Sequence, residues 1–268
     1  MKLNLFSKKN KSLLRALVVT DFKLRYQGSV LGYAWSLIKP LFLFAIMYLV
    51  FGLIIKIGTI EHYAVYLLLG VILWTFFTES TQQGMNSIIN RSDLLRKISL
   101  PKFIIVLSAT FSALINLFLN LIIVLILIMI NGVELNYTAL LFPLYILEIY
   151  FLSLGLAYLL AALNVKYRDT GHIWEIIMQA AFYATPILYP LSVISDKSDF
   201  IAKIILLNPV AQSIQDMRYI LITKDTATLS VVYDNFAIVL VPITITILIA
   251  FVGSVYFRKS SRYFAERI

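Results

Sequence analysis

Apolar runs of about twenty residues follow one another along the chain, separated by short polar stretches, and this pattern predicts helices that cross a membrane. Six runs stand out: Trp35 to Ile57, Tyr63 to Gln83, Phe103 to Ile130, Ala139 to Leu163, His172 to Tyr189 and Phe236 to Phe257. Two further segments do not fit a plain bundle. Over residues 12–26, Leu14, Leu17, Val18 and Phe22 share one helical face and Arg15, Lys23 and Arg25 lie elsewhere, as in an amphipathic helix lying in the membrane interface. An ordinary basic flank that only orients the first span is the alternative. Asp21 stands four residues before Arg25, within pairing reach. Between 191 and 235, Phe200 to Leu207 is apolar but too short to cross, Asn208-Pro209 interrupts it, and Ala211 to Ile222 forms a second short helical pattern. Two half-length helices meeting at a proline predict a re-entrant hairpin, with a pair of surface helices as the alternative.

The expected fold is thus an all-α integral membrane domain over residues 1–268, with six transmembrane helices, an N-terminal interfacial helix and a re-entrant helical hairpin before the last span. Its parts are an N-terminal region (1–34), spans one to five (35–190), the re-entrant segment (191–235), the sixth span (236–257) and a tail (258–268). Composition agrees: of 268 residues, 60% are hydrophobic and 14% charged, with a mean hydropathy of +0.88. Soluble domains carry about 25% charged residues, so a water-soluble globule is excluded. The apolar stretch after Lys11 is broken by Arg15 and Asp21 without a small-residue cleavage site before them, so it is expected to be retained.

The net charge of +9 would suggest nucleic acid in a soluble protein. Here its distribution matters. Seventeen Lys and Arg fall before the first span, in the second and fourth loops and in the tail, against five (Lys56, Lys197, Lys203, Arg218, Lys224) on the other side. The positive-inside rule therefore predicts both termini in the cytoplasm, and the basic excess is topogenic. Cysteine is absent, which removes disulfides and Cys-ligated metals from consideration.

Polar side chains inside the runs are candidates for function. Ser108, Ser112, Asn116 and Asn120 recur every four residues and form one stripe, which must face protein or water; helix packing and a polar conduit are its two readings. Glu148 is the deepest carboxylate, with no His or Lys at comparable depth, and Glu79 and Glu175 lie nearer the cytoplasmic ends. Aromatics lie deeper than an interfacial belt requires, among them Phe44, Tyr48, Tyr145, Tyr150, Phe151, Phe182 and Tyr183. Their faces suit the C–H faces of sugars, and Tyr adds a hydroxyl. No Gly is followed by Lys, so a phosphate-binding P-loop is impossible, and no acid/base, metal or nucleophile-elbow pattern occurs. His62 and His172 fall on opposite sides of the membrane in this topology. A transporter without an energy-coupling site must use an ion gradient or a separate ATPase.

The segment Asp21-Phe-Lys-Leu-Arg-Tyr26, followed by Ser29-Val-Leu-Gly-Tyr-Ala-Trp35 and Pro40, resembles the N-terminal signature of permease subunits of bacterial ATP-binding cassette exporters for O-antigen, capsule and teichoic acid polymers. Leu100-Pro101, Tyr167-Arg168-Asp169, Thr185-Pro186-Ile-Leu-Tyr189, Asn208-Pro209 and Tyr263-Phe-Ala-Glu266 extend the resemblance over essentially the whole chain, nearest the O-antigen type. The resemblance implies a homodimer in the bacterial inner membrane with two copies of an ATP-binding subunit, which holds the ATP and Mg; this chain carries no cofactor and no catalytic site of its own. The implied cargo is a glycan on an undecaprenyl pyrophosphate carrier, moved from the inner to the outer leaflet. Lys23 and Arg25 are then placed to hold the carrier phosphate, and Tyr48, Glu148, Tyr150 and Tyr183 to line the conduit. Asp21, Arg25, Tyr26, Arg91, Asp93, Arg96 and Lys97 are implied contacts to the ATPase, and Asn208, Pro209 and Arg218 belong to an implied gate. An exporter of a teichoic acid precursor, drug or other small amphiphile has the same fold; a gradient-driven flippase or a membrane transferase has less in the sequence to support it.

Overall fold

The computed structural model describes residues 8–26, 28–56, 60–97, 100–233 and 236–264, and every regular element among them is helical. In chain order these are α1 (Lys8–Tyr26), α2 (Trp35–Met47, running on as a π-helical stretch Tyr48–Ile54), α3 (Tyr63–Asn86), α4 (Ser92–Lys97), α5 (Lys102–Ile130) and α6 (Phe142–Lys166). There follow α7 (Thr170–Ala184), α8 (Ser192–Ser195), α9 (Asp199–Leu206), α10 (Pro209–Leu221), α11 (Leu229–Val232) and α12 (Phe236–Ser260).

Among the described residues, five helical segments are long and apolar enough to cross a membrane: Gly32–Ile54, Tyr63–Asn86, Lys102–Ile130, Tyr137–Lys166 and Ala237–Tyr263. The stretch expected as the fifth of six spans, His172 to Tyr189, is helical only as α7, whose 15 residues cover about 23 Å at 1.5 Å per residue. Pro186 supplies the reason. The residue before a proline is driven out of the α region, and Thr185 is extended, at φ −91° and ψ 137°.

Helix α3 is the hub, buried along most of its length between α5 and α6. A hydrophobic cluster built on α3, α5, α6 and α10 holds the middle of the molecule. A second cluster, including Leu17, Ile88, Ile104, Val165, Phe257 and Phe264, gathers α1, the approach to α5, and the ends of α6 and α12. Helices α6 and α12 cross where Gly155 and Gly253 meet: a Cβ on Gly155 would come within 2.7 Å of the Ala250 nitrogen, and one on Gly253 would overlap the Gly155 carbonyl. Small residues permit this backbone contact, as at many membrane helix crossings.

Helix α1 is not loosely attached. Leu17 and Val18 are buried, and Leu13, Leu14, Leu94 and Leu95 pack against the same cluster as Leu17. Asp21 meets Arg91, so the acid that the sequence places within reach of Arg25 bridges to the segment before α4; the Arg25 side chain lies outside the described residues. The segment after α8 forms two short helices, as its pattern predicts. Ser198 caps α9 and Asn208 caps α10, accepting from the Val210 amide at 3.0 Å, with Pro209 at the first helical position where its missing N–H costs nothing. Helix α10 is buried against α6 and α3, whereas α9 exposes Phe200, Ile201 and Ile204.

Candidate functional site

A polar-lined cleft of about 840 Å³ lies between α2, α3 and α7. Its position follows from the weak cover over two helices: α2 exposes Phe42, Leu43, Ile46 and Leu49, and α7 exposes Ile173, Ile176, Ile177 and Tyr183. Four aromatic rings line it, Trp35, Trp74, Phe182 and Tyr183. Phe182 packs edge-on to Trp74 at 5.9 Å and to Tyr183 at 5.3 Å, so three of these rings form one continuous surface.

Polar groups alternate with the rings. Glu79 accepts from Gln83 at 2.6 Å and from Asn116 of α5 at 3.0 Å. Lys39, Gln82, Glu175 and Gln179 complete the polar lining. The stripe Ser108, Ser112, Asn116 and Asn120 faces protein. Ser108 meets Arg91 and Asp21, Ser112 donates to the Ser108 carbonyl, and Asn120 donates to Ser36. Only Asn116 also reaches the cleft. Rings beside amides and carboxylates offer apolar faces for sugar C–H groups and hydrogen bonds for hydroxyls, and nothing in the lining favours one chemical step.

Arg218 is the most thoroughly enclosed ionisable side chain. It is fully buried, and its guanidinium donates to three main-chain carbonyls: Tyr66 (3.1 Å), Pro186 (2.6 Å) and Ile187 (2.8 Å), with Gln215 at 3.0 Å. Its Cζ lies 3.5 Å from the Tyr66 ring centroid. Tyr66 ends a ladder of stacked rings, Phe44, Tyr48, Tyr63 and Tyr66, with centroids 5.7 to 6.3 Å apart. A planar fork with five donors suits a set of converging carbonyls. Arg218 thus ties α10 to α3 and to the turn that follows α7.

The residues singled out from sequence are dispersed. Tyr183 lies in the cleft, whereas Tyr48 is in the ring ladder and Tyr150 lines a separate groove between α5, α6 and α12. Glu148 faces α10, where the Gln212 amide contacts it and also donates to Asp216. Asp216 is the second carboxyl at that depth, supplied by a segment remote in sequence. Lys23 is exposed on α1, as are Asp93, Arg96 and Lys97 on α4. The side chains of Arg25 and Tyr26 lie outside the described residues. Asn208 and Pro209 start α10, and Arg218 lies in its last turn. Trp35, Lys39, Trp74 and Gln179 were not anticipated. A signal was present in the polar run Thr78, Glu79, Gln82 and Gln83 and in Glu175 and Gln179 one turn apart.

Long apolar helices bundled around a polar, ring-lined cleft define an integral membrane protein. The ABC-2 type transporter family matches residues 12–222, and the chain belongs to that family. It is 33% identical over 188 residues to the O-antigen export system permease protein RfbA of Myxococcus xanthus, covering 70% of this chain and 72% of that protein. A Klebsiella pneumoniae protein of the same description is 27% identical over 257 residues, 95% of this chain and 94% of its own length. The chain is therefore a transmembrane permease of an ATP-binding cassette transporter.

Proposed function

We propose that this chain is the membrane subunit of an ATP-driven exporter that carries a lipid-linked polysaccharide, an O-antigen on undecaprenyl pyrophosphate, from the inner to the outer leaflet. The observation that carries the reading is the ring-and-amide cleft on α2, α3 and α7, which matches the surface chemistry of a glycan. The relatives, all described as O-antigen export permeases, support the cargo class.

Two copies placing their exposed α2 and α7 faces together would close the two clefts into one conduit. In this reading the chain has six membrane-embedded passes, with α7 as the short fifth and both termini in the cytoplasm of the inner-membrane topology. Two ATP-binding subunits supply ATP and Mg and press on α1 and α4, through Asp21, Arg25, Tyr26, Arg91, Asp93, Arg96 and Lys97, moving the permeases as rigid bodies. Lys23 and Arg25 hold the carrier phosphate at the entrance. Helices α9 and α10 dip back from the outer side as a gate.

The test is surface display of O-antigen in a strain that lacks its own permease and receives this chain with an ATP-binding subunit. Gln179→Trp, which puts a bulky ring into the cleft from an exposed position, should cut display at least about tenfold while insertion and ATPase association persist, since occlusion removes the passage rather than the fold. Full display with Gln179→Trp removes the cleft from the pathway. Restored efflux of a small amphiphile without O-antigen display would favour the drug-exporter alternative.

A further inference from the structure

Helices α5, α6 and α12 enclose a groove of about 960 Å³ that shares no residue with the cleft. Its walls are apolar over most of their length, with Leu107, Leu154, Phe251 and Val255 along the trench. Three cations stand at one end, Lys102, Arg258 and Arg262, and among the described residues no Asp or Glu lines it. Lys102 opens α5, Arg258 is in the last turn of α12, and Arg262 lies just beyond, so all three stand at the level where two spans meet the interface. Lys102 is held there: its ammonium donates to the Ser261 carbonyl and lies 5.4 Å from the Phe264 ring centroid. Arg258 and Arg262 are exposed and line the same end of the groove.

The positive-inside bias accounts for cations at this end of the helices. It does not account for three of them converging on one apolar trench. An apolar channel that opens at an interface onto cations and no anion is complementary to a molecule with acyl chains and a phosphate. We propose that this groove binds an anionic phospholipid of the surrounding bilayer. An acyl chain lies along α6 and α12, and the phosphate is held by Arg258 and Arg262 with Lys102 behind them. The site is on a different face from the cleft and takes a resident lipid, so it is independent of the cargo and of the direction of transport.

Native mass spectrometry of the delipidated full-length chain, given equimolar phosphatidylglycerol and phosphatidylcholine, tests this. The wild type should retain phosphatidylglycerol in preference, and Arg258→Gln with Arg262→Gln should lower that preference roughly thirtyfold, from the attraction of one basic side chain to an anionic lipid taken twice. Val255→Trp, which fills the trench without changing its charge, should lower retention of phosphatidylglycerol in the same way. Equal retention of both lipids by the wild type, or an unchanged preference in the double variant, means annular lipid only and overturns the proposal. Unchanged retention in Val255→Trp overturns the chain seat. A competition on the wild type needs no variant: glycerophosphoglycerol, the headgroup without chains, should fail to displace the lipid, and displacement at equal concentration overturns the site even where a variant does not fold.

Discussion

Replacing Arg218 by Met keeps much of the side-chain volume and removes the guanidinium, which separates the hydrogen bonds from the packing. The Tyr66 carbonyl sits within α3, whose own helix bonds continue without Arg218. The Pro186 and Ile187 carbonyls lie in a buried turn, and among the described residues Arg218 is the donor that satisfies them. Leaving a buried acceptor unpaired costs ~1–3 kcal/mol each. Against this stands relief from burying a cation that has no carboxylate beside it, a term of several kcal/mol that its carbonyl partners already offset in part. The expected net loss is roughly 2–4 kcal/mol. Arg218→Lys retains the charge without the planar fork and should not restore the loss. Unfolding in detergent, followed through the three Trp residues, measures it. Gly70 supplies the internal control, because a Cβ there would overlap the guanidinium Nη2. Gly70→Ala should be costly with Arg218 present and cheaper by about 1 kcal/mol or more in the Arg218→Met background, where a flexible chain can yield. The reasoning fails if Arg218→Met unfolds within about 0.5 kcal/mol of the wild type and Gly70→Ala costs the same in both backgrounds.

Other consequences are as direct. Asp21 and Arg91 are partly buried, at 23% and 15% side-chain exposure, so a double-mutant cycle with Asp21→Asn and Arg91→Gln should return about 1 kcal/mol, at or above the upper range for exposed pairs; zero coupling would mean that α1 is held by its leucines alone. Gly253→Leu should abolish folded protein on size exclusion, since its side chain would enter the Gly155 backbone; a normal monodisperse yield would refute the close α6–α12 crossing. The chain has no native cysteine, so single cysteines report topology cleanly. Cysteines at exposed Asp196 and Asp225 should both react with an impermeant reagent from the outer side, and one at fully buried Ser213 should not react at rest. Labelling of the first two from opposite sides would exclude a re-entrant α9–α10.

The long helices were legible because length and hydropathy suffice to define them, and the break at Asn208-Pro209 because backbone chemistry is local. The fifth expected span was read long because Ile187, Leu188 and Tyr189 add apolar character after the proline that ends the helix. Apolar content does not record where a helix stops. The cleft was legible in scattered pieces, as Phe182 and Tyr183 among the deep aromatics, Glu79 and Glu175 among the carboxylates and Asn116 in the polar stripe, but not as one site. Trp35 and Trp74 are ordinary apolar residues in a linear reading, and their convergence depends on how α2 and α3 are rotated about their axes. Glu148 was visible as a deep carboxylate, but its neighbour Asp216 comes from a segment 68 positions later, as 216 minus 148. Arg218 was legible as an outer-side cation on the second short helix and as a member of the implied gate, but not as a buried fork, because the carbonyls that enclose it carry no side-chain signature.

The turn after α7 gives the Arg218 fork a mechanical meaning. Helix α7 is a stiff rod with little of its surface against the bundle, and the carbonyls of Pro186 and Ile187, just past one of its ends, are clamped by a residue on another helix. The other end is held as well: Tyr167 to Asp169 join α7 to α6 by a three-residue link, and the Trp174 indole N–H donates to Thr81 Oγ1 of α3 at 3.1 Å. Fixed near both ends and bare along its side, α7 is a strut in the wall of the cleft, so the cleft changes width only when the helices that hold the strut move with it.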